Sequence, residues 1–383
     1  MTFLFVLGLV TLILYIVQGI EVTIGGRRLR HLEDIPPIAD DRAPSISVII
    51  PACNEELGIE QALRSVLALD YPRFEVIVVE DRSVDRTGEI LDRVARENPV
   101  FRVVHIKELP PAWLGKNHAL QQGAQLASGD LLLFTDADVV MEPSVLRRAA
   151  TFLESDKLDH LAAVPRATVP GFWSNAFLGV FALGFSLYVK PWKVKDPKSG
   201  KHIGIGAFNL LRRSAYFAAG GHGPIAMRPD DDMMLGKLLK QRGFRQDMAF
   251  ATKLLTVAWY GSFRELQGGL MKNLFAVARY SVSVIALGVV FQFGLLVWPW
   301  VALVVCRGPV QAVNALAVLA LCVLFRLNAG LVGFSGWWCF SMPVGALISI
   351  YLLLRSTILT LVNGGILWRG THYPLDLLRS NKL

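Results

Sequence analysis

The sequence predicts an α/β fold: an open, mostly parallel sheet with helices on both faces, set between N-terminal and C-terminal transmembrane helices. Three observations carry that expectation. Of 383 residues, 53% are hydrophobic and the mean hydropathy is +0.44, an excess that is concentrated at the two ends of the chain. Between the ends, short runs of β-branched residues alternate with stretches of helical spacing. Three of those runs also lead into acids and amides, which places polar groups on one rim of the sheet.

Residues 3–20 (FLFVLGLVTLILYIVQGI) carry no charge and are long enough to cross a hydrocarbon core of about 30 Å. They lack the basic leader and the small-residue cleavage site of a signal peptide, so residues 1–24 read as an anchor. Arg27, Arg28 and Arg30 follow, and by the positive-inside tendency they keep the next domain in the cytoplasm. Residues 25–44, with HLEDIPPIADDRAP, read as a linker, and residues 45–281 as the cytoplasmic domain. Residues 282–368 read as a C-terminal membrane bundle, broken by Arg307, Arg326 and Arg355. Segments 282–305, 310–330 and 341–366 could each span. Three crossings would put the tail, 369–383 with Arg369, Arg379 and Lys382, on the outer side against the same tendency, so the number stays open. The net charge of +8 fits attraction to anionic lipid headgroups better than nucleic-acid binding, because the basic residues share no single helix. Cys53, Cys306, Cys322 and Cys339 show no metal-binding spacing.

Within the domain, SISVIIPA is a buried strand and GIEQALRSVLAL a helix. FEVIVVED is a second strand, SVDRTGEILDRVARE a helix with Ser83 or Asp85 near its cap, and FRVVHI a third strand. GKNHALQQGAQLA and DLLLFTDAD supply the next helix and strand. Short connections between alternating elements imply parallel strands with right-handed crossovers, and in such sheets ligands bind at the carboxyl ends. Asn54 and Glu55, then Glu80 and Asp81, then Asp136 and Asp138 fall there. No G-x-G-x-x-G or P-loop pattern is present, which excludes those two nucleotide-binding sheets.

Asp136 and Asp138, two apart at a strand end, suit a hard divalent cation such as Mg2+ or Mn2+, which typically takes one or two carboxylates and completes its shell with substrate phosphates. Lys116 opens a helix, where a cation and helix N–H groups suit a diphosphate. His118 reads as structural. Three successive acids, Asp230, Asp231 and Asp232, hinder one another's ionisation, which raises the pKa of one toward a general base's range; Asp230 reads as a helix cap. Gly204 and Gly206 permit close backbone approach on the acceptor side. PGFWSNAFLGVFALGFSLYVKPWKVKD has the composition of a helix lying in the membrane interface.

In order, PACNEE, VVEDRSVDRT, WLGKNHAL, FTDAD, GAFNLLRRSAYFAAGGH and PDDDMMLGKLLKQRGF resemble the membrane-bound family 2 glycosyltransferases of the GT-A (Rossmann-like) fold. They look closest to the ceramide glucosyltransferase-like, hopanoid-associated and carotenoid-acid branch. The resemblance implies that Asp138 ligates the metal and Asp136 contacts the nucleotide. It implies nucleotide contacts for Pro51, Ala52, Asn54 and Glu55 at the first turn, for Asp81 on the uracil, and for Arg279 on the diphosphate. Aligning Glu-Asp-x-x-Leu on Leu235 makes Asp231 and Asp232 the catalytic pair, with Asp232 as the base. Where the family often has Q-x-x-R-W, this chain has Ala276, Arg279 and Tyr280, a departure that argues against a processive polysaccharide synthase.

The expected activity is metal-dependent, inverting transfer of a sugar from a nucleotide-diphosphate donor, expected to be UDP-linked, to a membrane lipid hydroxyl. The expected setting is a bacterial-type cytoplasmic membrane. The rival expectations are a processive synthase and a non-catalytic membrane partner that only binds nucleotide.

Overall fold

The computed structural model describes residues 2–381, so Lys382 of the tail lies outside the described residues. The chain forms two compact units. One comprises Arg30–Thr168, Lys193–Ala258 and the segment from Gly365 on; the other comprises the chain up to Leu29, Val169–Trp192 and Trp259–Gly364.

The first unit is built on an eight-stranded sheet. Its strands are β1 (Arg30–His31), β2 (Ile46–Ala52), β3 (Phe74–Asp81), β4 (Phe101–Ile106), β5 (Leu131–Phe134), β7 (His160–Val164), β9 (Asn209–Arg212) and β10 (Gln246–Phe250), in the order β1-β10-β7-β9-β5-β2-β3-β4. All pairs are parallel except those of β9, which runs antiparallel to both β5 and β7. A smaller sheet joins β6 (Val139–Met141) and β8 (Arg166–Thr168) to β11 (Leu255–Ala258). Central strands covered on both faces must be apolar throughout: β5 is buried at every residue, and β2 at all but Pro51. Pro51 is tolerated because β5 pairs with β2 only as far as Ile49, so the proline's missing N–H falls where the ladder has already ended.

Helices α2 (Ile59–Leu67), α3 (Thr87–Glu97) and α4 (Gly115–Leu126) connect the strands as the sequence spacing predicts, and α5 (Val145–Ser155), which the sequence reading did not name, follows β6. The chain builds outward from β2 to β3 and β4, then returns to place β5 on β2's other side. That reversal is the topological switch point where open sheets bind ligands. The carboxyl ends of β2 and β5, bearing Asn54–Glu55 and Asp136–Asp138, flank it.

The second unit is helical: α1 (Thr2–Gly26), α6 (Gly171–Val189), then, after α7 (Arg213–Ala219) and α8 (Asp231–Gln241) of the sheet unit, α9 (Phe263–Gly269), α10 (Met271–Val277), α11 (Val282–Gln292), α12 (Trp298–Val305), α13 (Pro309–Leu331) and α14 (Met342–Val362). Among the described residues five helices are long and apolar enough to cross a membrane: Thr2–Gly26, Gly171–Lys193, Val282–Val305, Pro309–Leu331 and Gly336–Val362. Small residues bring helix backbones together, as apolar surroundings favour. A Cβ on Gly8 of α1 would lie 2.7 Å from Val313 of α13, and one on Gly26 would lie 3.5 Å from Leu331, so the two helices run parallel. A Cβ on Gly345 of α14 would lie 2.1 Å from the carbonyl oxygen of Ala176 in α6.

These units cut the chain differently from the expected boundaries. Residues 169–192 and 259–281 leave the sheet unit because their apolar side chains pack with the long helices; Leu266 and Leu270 cluster with Phe177 and Leu352. Residues 365–368, assigned from the sequence to the bundle, and the tail after them join the sheet unit as a hairpin of β12 (Gly365–Trp368) and β13 (Thr371–Pro374), followed by α15 (Leu375–Ser380). Arg279 belongs to the helical unit, in a left-handed turn with Tyr280 (φ 51° and 56°) between α10 and α11.

Candidate active site

The site is assembled where α8 meets the end of β5. Two glycines set that approach: a Cβ on Gly204 would sit 1.8 Å from the Asp232 carbonyl oxygen, and one on Gly236 would sit 1.8 Å from the Ile203 carbonyl oxygen. Only a chain without side chains there lets the 203–206 segment lie against the first turns of α8. Gly206 then stands between two acids. Its N–H donates to Asp232 Oδ2 (2.8 Å), its carbonyl accepts from the Asp136 N–H (3.1 Å), and a Cβ on it would come within 2.6 Å of Asp136 Oδ2.

Lys116, on the first turn of α4, places Nζ 2.8 Å from Asp136 Oδ1 and 3.5 Å from Asp231 Oδ2. Burial alone would lower the lysine's pKa, but Asp136, then Asp231 and Asp232, hold it above the ordinary value. The lysine expected to meet a diphosphate thus bridges two carboxylates. Lys116, Asp136, Gly206, Asp231 and Asp232 line one small cavity together with His222. His222 is neutral, its pKa pushed down to about 3 by burial, and its ring meets Phe134 edge-on.

The acids differ in partners. Asp231 is buried beside Lys116. Asp232 is pushed up to about 7, by burial first and by the charge of Asp231 second. Asp138 is also pushed up to about 7, by burial, then by Asp136 and Glu55. Asp230 stands at the N-cap position of α8 but makes no capping bond; its carboxylate pairs with Arg228 at 2.9 and 2.7 Å instead, because that guanidinium offers a bidentate partner. Asn117, buried on α4, donates to the carbonyls of Ile225, Ala226 and Arg228 and so fixes the loop that delivers the three acids.

At the rim where nucleotide contacts are expected, Pro51 and Ala52 close β2 and Asn54 follows in a left-handed turn (φ 54°). That turn is stitched to the one after β3. The Asn54 N–H donates to Ser83 Oγ, the Val84 N–H to Asn54 Oδ1, and the Glu55 N–H to Thr87 Oγ1. Asp81 is buried and accepts two bonds from Arg82, at 2.8 and 3.1 Å. Glu80 is turned to other duties, accepting from the Ser83 N–H and facing His105. His118 is buried against Trp113, as a structural histidine would be. Burial first, then Asp81, push the Cys53 thiol up to about 11, which disfavours the reactive thiolate.

Among the described residues, no group of three or more protein side chains forms a metal cage. Asp138, with Asp136 and Glu55 as like-charged neighbours, provides hard oxygens in a negative field. Those residues fit a divalent cation that takes one or two carboxylates and completes its shell from a substrate's phosphates.

Sequence reasoning missed Arg82, Asn117, Arg228 and the hairpin residues Arg369 and Tyr373. A signal existed for the last two. In ILWRGTHYP, Gly370 between two runs with aromatic residues marks a turn.

A mostly parallel sheet with acids at its switch point defines a GT-A-type α/β fold. Among solved structures, the mannosyltransferase PcManGT of Pyrobaculum calidifontis, in complex with GDP-Man and Mn2+, superposes with a TM-score of 0.55 over 92% of this chain and 99% of that one; at 19% identity the likeness is one of fold. Residues 47–217 match the family model described as glycosyl transferase family 2. It is 30% identical over 206 residues to the 4,4′-diaponeurosporenoate glycosyltransferase of Staphylococcus haemolyticus, covering 51% of this chain and 52% of the relative. It is 29% identical over 219 residues to the beta-monoglucosyldiacylglycerol synthase of Synechocystis sp., covering 55% and 44%. The chain thus spans about half the length of these curated relatives, or less.

Proposed function

We propose that the protein is an inverting glycosyltransferase that moves a sugar from a nucleoside-diphosphate donor to a hydroxyl of a membrane lipid. The observation that carries this reading is the half-buried Asp232, held across Gly206 from Asp136 at the switch point of a family 2 domain. The names of two relatives, which contain diacylglycerol and diaponeurosporenoate, support a lipid acceptor. The GDP-Man and Mn2+ bound to the Pyrobaculum enzyme support a nucleotide-sugar donor and a divalent cation.

In this reading Asp232 takes the acceptor hydroxyl's proton as that oxygen attacks the anomeric carbon from the face opposite the diphosphate. Asp231 and Lys116 set the charge around it. Glu55, Asp81 and Asp136 receive the nucleoside, and Asp138 would hold Mg2+ or Mn2+, which neutralises charge on the departing diphosphate. Arg279 as a diphosphate contact remains a proposal from resemblance. Incubating the purified protein with UDP- and GDP-sugars, a divalent cation and lipid extract should move label into the organic phase. Nucleotide binding without any such transfer would mark a non-catalytic partner.

The charged groups facing Asp232 are Asp231 on its own helix, Lys116 on α4 and Asp136 at the end of β5. A base must be deprotonated to act, and this one is pushed up to about 7. Turnover should therefore rise roughly tenfold per pH unit below that value and level off above it. A profile that is flat between pH 5.5 and 8 would remove Asp232 from the role.

Arg27 and Arg28, which follow the first apolar helix, support a cytoplasmic sheet unit. Alkaline phosphatase fused after Asn381, within that unit, should then be inactive. An active fusion there would contradict this reading.

A further inference from the structure

The hairpin that follows the last membrane helix touches three parts of the nucleotide-side rim. Its turn is Arg369-Gly370, with both residues left-handed (φ 48° and 78°) between the paired Trp368 and Thr371. Two-residue turns of this kind favour asparagine or aspartate in the first position, and an arginine there is disfavoured by its Cβ. What the arginine gains is reach. Its guanidinium donates to the Asn54 carbonyl (2.9 Å) and pairs with the Glu55 carboxylate. On the second strand Tyr373 is buried, and its phenol oxygen accepts from the N–H of Gly115, the residue before Lys116. Thr371 Oγ1 lies 3.5 Å from Arg82 Nη1, and Arg82 holds Asp81. Gly115 itself has no room for a side chain, since a Cβ would lie 2.0 Å from Asp81 Oδ2.

The hairpin is anchored independently of these contacts, because Ile366, Leu375 and Leu378 are buried apolar residues of the same segment. The polar contacts at the rim are therefore additional to what its folding requires. They also place Arg369 on Glu55, beside Asp81, which Arg82 already pairs. An anionic nucleotide approaching bare carboxylates would be repelled; approaching paired ones, it is not.

We propose that this hairpin is part of the donor-nucleotide site, with Arg369 and Tyr373 as positioning residues that hold Glu55 and the Asp81–Gly115 corner in the arrangement a nucleoside diphosphate binds. The inference rests on the donor reading of the same site. It makes donor affinity depend on residues beyond the family 2 match at 47–217.

The test uses the full chain in detergent, with UDP and GDP titrated in the presence of Mn2+ by calorimetry, and with steady-state transfer for Arg369→Ala, Arg369→Lys and Tyr373→Phe. Arg369→Ala should raise the nucleotide Kd and the donor KM about tenfold, the worth of one charge-assisted hydrogen bond, with kcat at saturating donor within about twofold. Arg369→Lys should recover part of that, and Tyr373→Phe should shift Kd in the same direction by less. Unchanged Kd and KM in Arg369→Ala would overturn the proposal, as would a fall in kcat that tracks a lowered melting temperature. If Arg369→Ala does not fold, Tyr373→Phe, which removes one oxygen only, decides on the same readouts. Wild-type protein that binds neither nucleotide and transfers no sugar sinks the donor reading and the hairpin with it. Wild-type protein that does both, with variants that match it, sinks the hairpin alone.

Discussion

Replacing Asp232 with asparagine is expected to lower kcat by at least ~10²-fold, the usual contribution of a positioned general base. Asparagine keeps the shape and an oxygen for the Gly206 N–H, which now donates to Asp232 Oδ2 at 2.8 Å, so the backbone around the cavity should hold. What it cannot do is accept a proton. Donor affinity should change little, because the nucleotide-side rim at Glu55 and Asp81 has its own partners. Asp231→Asn is the informative contrast. Asp231 touches Lys116 and its charge helps keep Asp232 protonated, so its removal should move the pH profile to lower values without abolishing turnover. If instead Asp231→Asn kills the reaction and Asp232→Asn leaves it intact, the two acids exchange roles. Single-turnover rates at saturating donor across pH 5.5–8 separate the cases.

How much of this was legible in the sequence follows from how local each feature is. The strands β2, β3 and β5 were readable because a parallel strand buried on both faces has to be an apolar run, and the acids at their ends stood out against it. The order of the motifs then supplied roles for Asp136, Asp138 and Asp232. The antiparallel insertion of β9 was not readable, since NLLR looks like any short apolar run and its partners lie far away in the chain. Nor was the return of residues 365–381 to the sheet unit, which rests on side-chain contacts spanning some 300 positions, such as Arg369 with Glu55. A basic tail after apolar helices reads as a positive-inside signal, and that reading conceals a second use for the same arginine. Asp230 shows the opposite failure: its position is that of a cap, but Arg228 two residues earlier claims its carboxylate. Composition located the long apolar helices of the other unit, because a run of that length and hydropathy stands out in any chain.

The second large effect concerns Asp138. Its replacement by alanine should remove the metal-dependent part of nucleotide binding, a loss of at least ~10²-fold, since changing even an outer-shell partner of a bound metal typically costs 10–100-fold. Burial first, then the charges of Asp136 and Glu55, push the Asp138 carboxyl up to about 7 when no cation lies beside it. A half-buried carboxyl set among like charges is a liability for the empty fold, so Asp138→Ala should melt at or above the wild-type temperature when no ligand is present. With nucleotide and Mn2+ the order should reverse, because only the wild type gains stability from binding. That crossing of melting curves separates loss of a ligand from loss of structure. Asp136→Asn should behave differently. It frees Lys116 from its shorter ion pair and should weaken nucleotide binding with and without metal alike. If Asp138→Ala binds UDP or GDP as tightly as wild type in the presence of Mn2+, the cation is held elsewhere or not used. The pair of acids at the end of β5 would then serve the nucleotide and Lys116 alone.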